Sequence, residues 1–250
     1  RLADALHSTT PGNPVVQCDC KLNIQGEERW HRIVARASWS SEEPPRYTGC
    51  IGKAMDIHNS RLELESLERQ ASHDALTGLV NRAYAQKRII ERLEDRPAGR
   101  YAMAILDLDY FKSANDTYGH MFGDEVLKFL AERLRHSIRG GDIAARVGGD
   151  EFLIFLEYKD DLESAIEGIY SRVNGGVYKD FTISVSMGVA SNQEAGSEYD
   201  GLFRCADQAL YVVKHSGNKG RYNYYHKENA IDRATSAVSP IDAEGGEESK

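Results

Sequence analysis

The chain has 250 residues, of which 41% are apolar, 28% charged and 9% aromatic, and its formal net charge is −8. That is enough for one large or two ordinary domains, and it excludes a disulfide-built miniprotein, a collagen-like polymer and a wholly disordered chain. No apolar run approaches the ~18–20 residues that span a bilayer, and an acidic surface argues against a nucleic-acid polymer as partner. Neither an initiating Met nor a signal peptide precedes Arg1, so a piece of a longer protein is expected. Cys18-x-Cys20 lacks the second pair of a zinc site, which leaves Cys18, Cys20, Cys50 and Cys205 as reduced thiols.

Residues 1–58 read as three strands behind a short helical piece. Val15 to Leu22, Trp30 to Ala37 and Tyr47 to Ile57 carry β-type composition, punctuated by Pro11-Gly-Asn-Pro14, Gln25-Gly26 and Glu43-Pro-Pro45. With Trp30-His-Arg32 on one strand and Asp56-Ile57 closing another, the stretch resembles the C-terminal part of a PAS sensor domain. Three strands make a poor independent core, and that resemblance implies that the front half of the sensor, with most of its pocket, lies elsewhere. Residues 59–73 hold strong helix formers without Gly or Pro, and Ile57, Leu64 and Ala71 recur at heptad spacing with Leu67 between them. A stalk that pairs with a second copy and a solitary linker helix both fit this pattern.

From Asp74 onward helix and strand alternate. Helices are expected over about 81–94, 122–138, 162–173 and 199–216, and strands over 101–108, 143–147, 152–157, 182–190 and 222–225. Strands 143–147 and 152–157 are joined by a short turn and must be antiparallel, which makes the sheet mixed. The expected fold class is α/β (α+β): a mixed, mainly antiparallel central sheet flanked by helices. Residues 227–250, with six acids and three bases, read as a disordered acidic tail.

Two acidic constellations carry the chemistry. Ile105-Leu-Asp107-Leu-Asp109 ends an apolar strand in carboxylates at i and i+2, which puts both on one face and suits a hard cation. Gly148-Gly149-Asp150-Glu151-Phe152 sets two adjacent acids on a tight turn where glycine lets a ligand approach the main chain. Each alone is compatible with a solvated strand end or turn. Together, on separate strands of one small domain, they point to a shared metal site.

These motifs, with Asp74-Ala-Leu-Thr-Gly-Leu-Val-Asn-Arg82, Asn115-Asp-Thr-Tyr-Gly-His120, Gly123-Asp124, Ser186-Met-Gly188 and Ala206 to Lys214, resemble the GGDEF diguanylate cyclase family over residues 74–226. The resemblance implies a palm-like or nucleotide-cyclase-like fold and the condensation of two GTP into cyclic di-GMP with release of pyrophosphate. It implies two Mg2+ ions per site, with Mn2+ as the alternative metal, held by Asp107, the Leu108 carbonyl and Asp150. Asp150 or Glu151 would assist deprotonation of the attacking hydroxyl. An ordinary Asp is too acidic to be a good base at pH 7, so activation by metal carries more of that step. Lys112 would stabilise the phosphorus centre and Lys214 the terminal phosphates. Asn115 and Asp124 would read guanine, with Phe111, His120, Gly148 and Gly149 lining the nucleotide; Asp124 favours two guanines over a mixed product.

Arg139-Gly-Gly-Asp142 matches the family's RxxD inhibitory site for the product, with Arg172 as the second arginine. Asn218 departs from the family pattern, standing where a phosphate-binding Arg or Lys is common, and Lys219 or Arg221 could compensate. Asp74 and Arg82 read as a structural pair at a helix entrance, and Tyr222, Tyr224 and Tyr225 as a half-buried last strand. The expected partners are GTP, cyclic di-GMP and a second copy, joined through the catalytic domain and the stalk, in the bacterial cytoplasm, alone or within a membrane-attached sensor. The rival reading is an inactive module that binds GTP or cyclic di-GMP as a receptor.

Overall fold

The structure, a computed structural model, describes residues 2–217 and 219–228, so Asn218 and nearly all of the expected acidic tail lie outside the described residues. The chain forms two units, Arg1–Gln70 and Ala71–Lys250. Among the described residues no helix is long and apolar enough to cross a membrane.

In the first unit, α1 (Leu2–His7) precedes an antiparallel meander of β1 (Val15–Ile24), β2 (Glu27–Trp39) and β3 (Tyr47–Asp56). Gln25 and Gly26 both take positive φ, at 55° and 91°, so the first hairpin closes through the two-residue turn whose twist matches its strands. One face buries Val16, Ala35 and Ala37. On the other, Arg61 stacks 4.1 Å from the Trp30 ring centroid, and Arg32 forks onto Asp19 at 2.8 and 2.9 Å. Asp56 ends β3 and starts α2 (His58–Ser72): its carboxylate accepts from the His58 N–H at 2.9 Å and from Arg29 Nε at 2.8 Å. No residue of α2 is buried, and Leu62, Leu64 and Leu67 are exposed.

The second unit is built on a six-stranded sheet. In chain order it comprises β4 (Val80–Asn81), α3 (Arg82–Asp95), β5 (Tyr101–Leu108), α4 (Phe111–Tyr118), α5 (His120–Ser137), β6 (Ile143–Gly148), β7 (Glu151–Glu157) and α6 (Leu162–Val173). There follow β8 (Val177–Tyr178), β9 (Phe181–Thr182), β10 (Val185–Ser191), α7 (Asn192–Ala195), α8 (Tyr199–His215) and β11 (Tyr222–Tyr224). The sheet order is β11-β10-β5-β7-β6-β4, parallel only at the outer pairs β10–β11 and β4–β6. The expected mixed, mainly antiparallel sheet between helices is the observed one.

β5 is buried along its whole length, and its side chains alternate between two cores. Ala102, Ala104, Leu106 and Leu108 join Val126, Leu127, Leu130 and Leu134 of α5 and Ile166 and Ile169 of α6. Tyr101, Met103 and Ile105 join Ala85, Ile89 and Leu93 of α3 and Leu202, Ala206 and Leu210 of α8. Asp107 continues the second series, so it emerges on the α8 side of the sheet. Gly188 of β10 lets α8 approach: a Cβ there would lie 2.2 Å from both the Ala206 carbonyl oxygen and the Leu210 nitrogen.

The short elements β4, α4, β8, β9 and α7 escaped the sequence reading. α4 holds Asn, Asp, Thr and Ser, which favour turns and caps over helix interiors, and it begins at Tyr110 in a left-handed conformation with φ 60°. The strand expected from residue 182 begins at Val185, because Phe181–Thr182 pairs with Val177–Tyr178 in a separate hairpin. Half-buried β11 agrees with the reading of the tyrosine-rich end as a last strand.

Candidate functional site

Asp107 and the 148–152 turn meet by strand register. β5 and β7 pair with Asp107 opposite Glu151, and the Leu108 N–H donates to the Asp150 carbonyl at 3.3 Å. Asp107 is 8% exposed, and its Oδ2 lies 2.5 Å from Lys214 Nζ in the last turn of α8. Burial pushes the Asp107 carboxyl above its ordinary range; Lys214 pulls it down, while Asp150 and Glu151 push it further up. Three acids and one lysine thus share a pocket of charge at the ends of β5 and α8.

The turn is held from behind by an arginine that sequence reasoning missed. Gly149 takes φ 52°, and its carbonyl accepts from Arg146 Nε at 3.0 Å and Nη2 at 2.7 Å. Arg146 Nη1 also reaches both Asp74 oxygens at 3.2 and 3.4 Å. Asp74 accepts in addition from the Thr77 N–H at 2.9 Å and hydroxyl at 2.6 Å. Burial alone would raise its carboxyl, but the Thr77 and Arg146 hydrogen bonds outweigh that and hold it below the usual range. The expected Asp74–Arg82 pair is therefore corrected: Asp74 belongs to Arg146, and the Arg82 guanidinium stands 5.6 Å from the Phe203 ring centroid. The signal in the sequence was faint, since Arg146 is only a basic residue two positions before the glycines.

Asp109, outside the expected metal set, is held by other partners. Its carboxylate is 2% exposed and accepts from the Ser184 and Ser186 hydroxyls at 2.7 and 2.8 Å and the Gly220 N–H at 2.9 Å. Of the two carboxylates at i and i+2, Asp107 faces the turn and Asp109 is consumed by internal donors.

Lys112 is exposed on the first turn of α4, and Phe111 beside it packs against the core. Asn115 of α4 lies against Gly123 of α5, where a Cβ would fall 1.9 Å from Asn115 Oδ1. That oxygen is buried without a hydrogen-bond partner among the described residues. Asp124, next along α5, and His120, at its first residue, are exposed. Arg139 and Asp142 close a turn on each other: the Asp142 N–H donates to the Arg139 carbonyl, and its carboxylate accepts from the Arg139 N–H, both at 2.9 Å. Arg172 lies on a groove of about 370 Å3 with Phe129, Glu132, Arg133, His136 and Ser137. The arginine that reaches the 139–142 turn is Arg92 of α3, which donates to the Gly141 carbonyl.

The groups gathered around Asp107, the Asp150 and Glu151 carboxylates, offer hard oxygen donors. Magnesium commonly takes one or two protein carboxylates plus substrate phosphates and waters, so this set fits it better than a thiol- or imidazole-preferring metal. Among the described residues no group of three or more His, Cys, Asp or Glu side chains is placed to hold a metal unaided.

Residues 71–220, more than half of the chain, match the model described as diguanylate cyclase, GGDEF domain. The chain belongs to the GGDEF diguanylate cyclase family. Among GGDEF relatives, the diguanylate cyclase DgcS of Shewanella oneidensis is 38% identical over 161 residues, covering 62% of this chain and 54% of its own length. The cyclic di-GMP phosphodiesterase PdeR of Escherichia coli is 33% identical over 185 residues, covering 71% of this chain and 28% of its own length. Among solved GGDEF structures, the coiled coil and GGDEF domain of DgcB from Caulobacter crescentus, in complex with c-di-GMP, gives a TM-score of 0.61 at 28% identity. It covers 67% of this chain and 93% of that one. The chain thus spans about half or less of the two curated relatives named.

Proposed function

We propose that the chain is a diguanylate cyclase that condenses two GTP into cyclic di-GMP with release of pyrophosphate. The observation that carries this reading is the convergence of Asp107, Asp150 and Glu151 beside Lys214, with every residue of the 148–152 motif present. Asp107, the Leu108 carbonyl and Asp150 would hold Mg2+, which when bound polarises the α-phosphate and favours the ionised hydroxyl. Asp150 or Glu151 takes the proton of the attacking 3′-hydroxyl as its oxygen bonds to the α-phosphorus and pyrophosphate leaves. Lys112 stabilises the charge that builds on the phosphorus centre, and Lys214, already at the site, neutralises the leaving phosphates. Asn115 and Asp124 read the guanine edge, since a carboxylate accepts from the N1–H and amino group that adenine does not present there.

Cyclic di-GMP restrains the enzyme through Arg139 and Asp142, with Arg172 contributing. One domain holds one GTP, so two copies face each other; the exposed Leu62, Leu64 and Leu67 of α2 support pairing through this helix. Residues 1–58, with a short helix and a three-stranded meander, are the C-terminal part of a PAS-like sensor domain in a cytoplasmic signalling protein.

A second reading is a receptor that binds GTP or cyclic di-GMP without turnover, since one relative is named a cyclic di-GMP phosphodiesterase and not a cyclase. Incubating the purified 250-residue chain with GTP and Mg2+ across protein concentrations separates the two. Cyclic di-GMP should appear with a rate that rises faster than linearly in protein, and Asp150→Asn should abolish it without loss of fold. No product with retained cyclic di-GMP binding would establish the receptor instead.

A further inference from the structure

Two segments distant in sequence, 184–186 and the loop at Gly220, meet on Asp109, a carboxylate that the proposed chemistry does not use. A buried carboxylate is costly unless its lone pairs are filled, and no cation pairs with Asp109 among the described residues. Its three donors fill that need, and each comes from a segment that bears on the site. Ser186 is the strand partner of Asp107 in the β10–β5 register. Ser184 also accepts the Asp109 N–H on its carbonyl at 2.8 Å. Gly220 lies in the loop that follows α8, the helix whose last turn carries Lys214.

This loop is fitted closely to its anchor. Gly220 has φ 71°, and a Cβ there would stand 2.9 Å from Ser184 Oγ. One residue earlier, Lys219 Nζ lies 4.4 Å from the Tyr110 ring centroid, and Tyr110 directly follows Asp109. The loop therefore grips the β5–α4 junction at two neighbouring points, by a charge-assisted hydrogen bond and by a cation over an aromatic face.

We infer that Asp109 is a positioning residue: by holding Gly220 and Ser186 it locks the end of α8, and so Lys214, in register with Asp107. It acts through those groups and touches neither nucleotide nor metal. This inference rests on the cyclase reading for its kinetic consequence, not for its geometry.

The test is Asp109→Asn in the full chain. The amide keeps the volume but sets an NH2 donor where a carboxylate oxygen had accepted. Amide exchange at residues 219–221 should accelerate while β5 and β7 stay protected. The kcat per folded molecule should fall about tenfold, the expected scale for losing a charge-assisted hydrogen bond that orients a reacting group. A merely structural role would lower the melting temperature and leave kcat per folded molecule unchanged, which would overturn the inference; so would unchanged exchange at 219–221. If Asp109→Asn does not fold, Ser184→Ala, which removes one donor, carries the same comparison. If the unaltered chain makes no product, the cyclase reading falls separately and binding of GTP with Mg2+ decides. Affinity weakened about threefold or more in Asp109→Asn then supports the positioning role, and unchanged affinity, or no GTP binding in either chain, overturns it.

Discussion

Truncating Arg146 to Ala isolates what holds the 148–152 turn in place. The guanidinium makes two hydrogen bonds to the Gly149 carbonyl and an ion pair with Asp74, with side-chain exposures of 15% and 24%. A hydrogen bond from a charged group contributes ~1.5–3 kcal/mol, and removing one partner of a fully buried ion pair costs ~3–5 kcal/mol. Asp74 keeps both Thr77 donors and retains access to water, so the loss falls below that of a fully buried pair and near the charged hydrogen-bond range. The expected loss is ~2–3 kcal/mol, or about 5–10 °C in the melting temperature of a unit this size.

Thermal unfolding at pH 7 measures it, and a double-mutant cycle with Asp74→Asn separates the ion pair from the carbonyl bonds. The pH dependence supplies an independent sign. Asp74 has a depressed folded-state carboxyl, so its contribution is present above the unfolded value of about 3.9 and is lost as pH falls through the folded one. In Arg146→Ala the depression shrinks, so less stability is lost between the unfolded value and the folded one, and the acid limb should be shallower than in the unaltered chain. A loss below about 0.5 kcal/mol, the scale of an ordinary surface substitution, with an equally steep acid limb would refute the reasoning.

Two further outcomes follow from the same geometry. Burial holds the Asp107 carboxyl above its unfolded value, so in metal-free buffer its penalty is absent below that value and grows as pH rises through the folded one. Asp107→Asn should therefore melt at a higher temperature than the unaltered chain at pH 7 while losing turnover; a lower melting temperature would contradict the burial argument. Gly188→Ala would place a Cβ 2.2 Å from backbone atoms of α8, and neither can rotate away. It should cost ~1–3 kcal/mol or more by overpacking and reduce turnover by shifting Lys214 from Asp107, both read from unfolding curves and initial rates.

Much of the fold was legible because its signals are local. The limits of α6 coincide with the periodicity at Leu162–Val173, and β5 stands where the apolar run predicts it. The Gly-Gly turn between β6 and β7 was equally plain, since Gly149 adopts a conformation that few other residues accept. α4 was missed because its residues favour caps and turns, and only packing against α5 makes them helical.

The site divides along the same line. By itself the sequence determined which residues end strands and which turn holds two adjacent acids. These follow from the two-residue period of a strand and the backbone freedom of glycine. Tertiary structure decided which carboxylate stays available. The donors that consume Asp109 come from 75, 77 and 111 residues away, and the arginine that steadies Gly149 draws on Asp74 from 72 residues away. Strand parity gives the direction in which a side chain points. What meets it there depends on which segments the fold brings over that edge, and no local period in the chain encodes that.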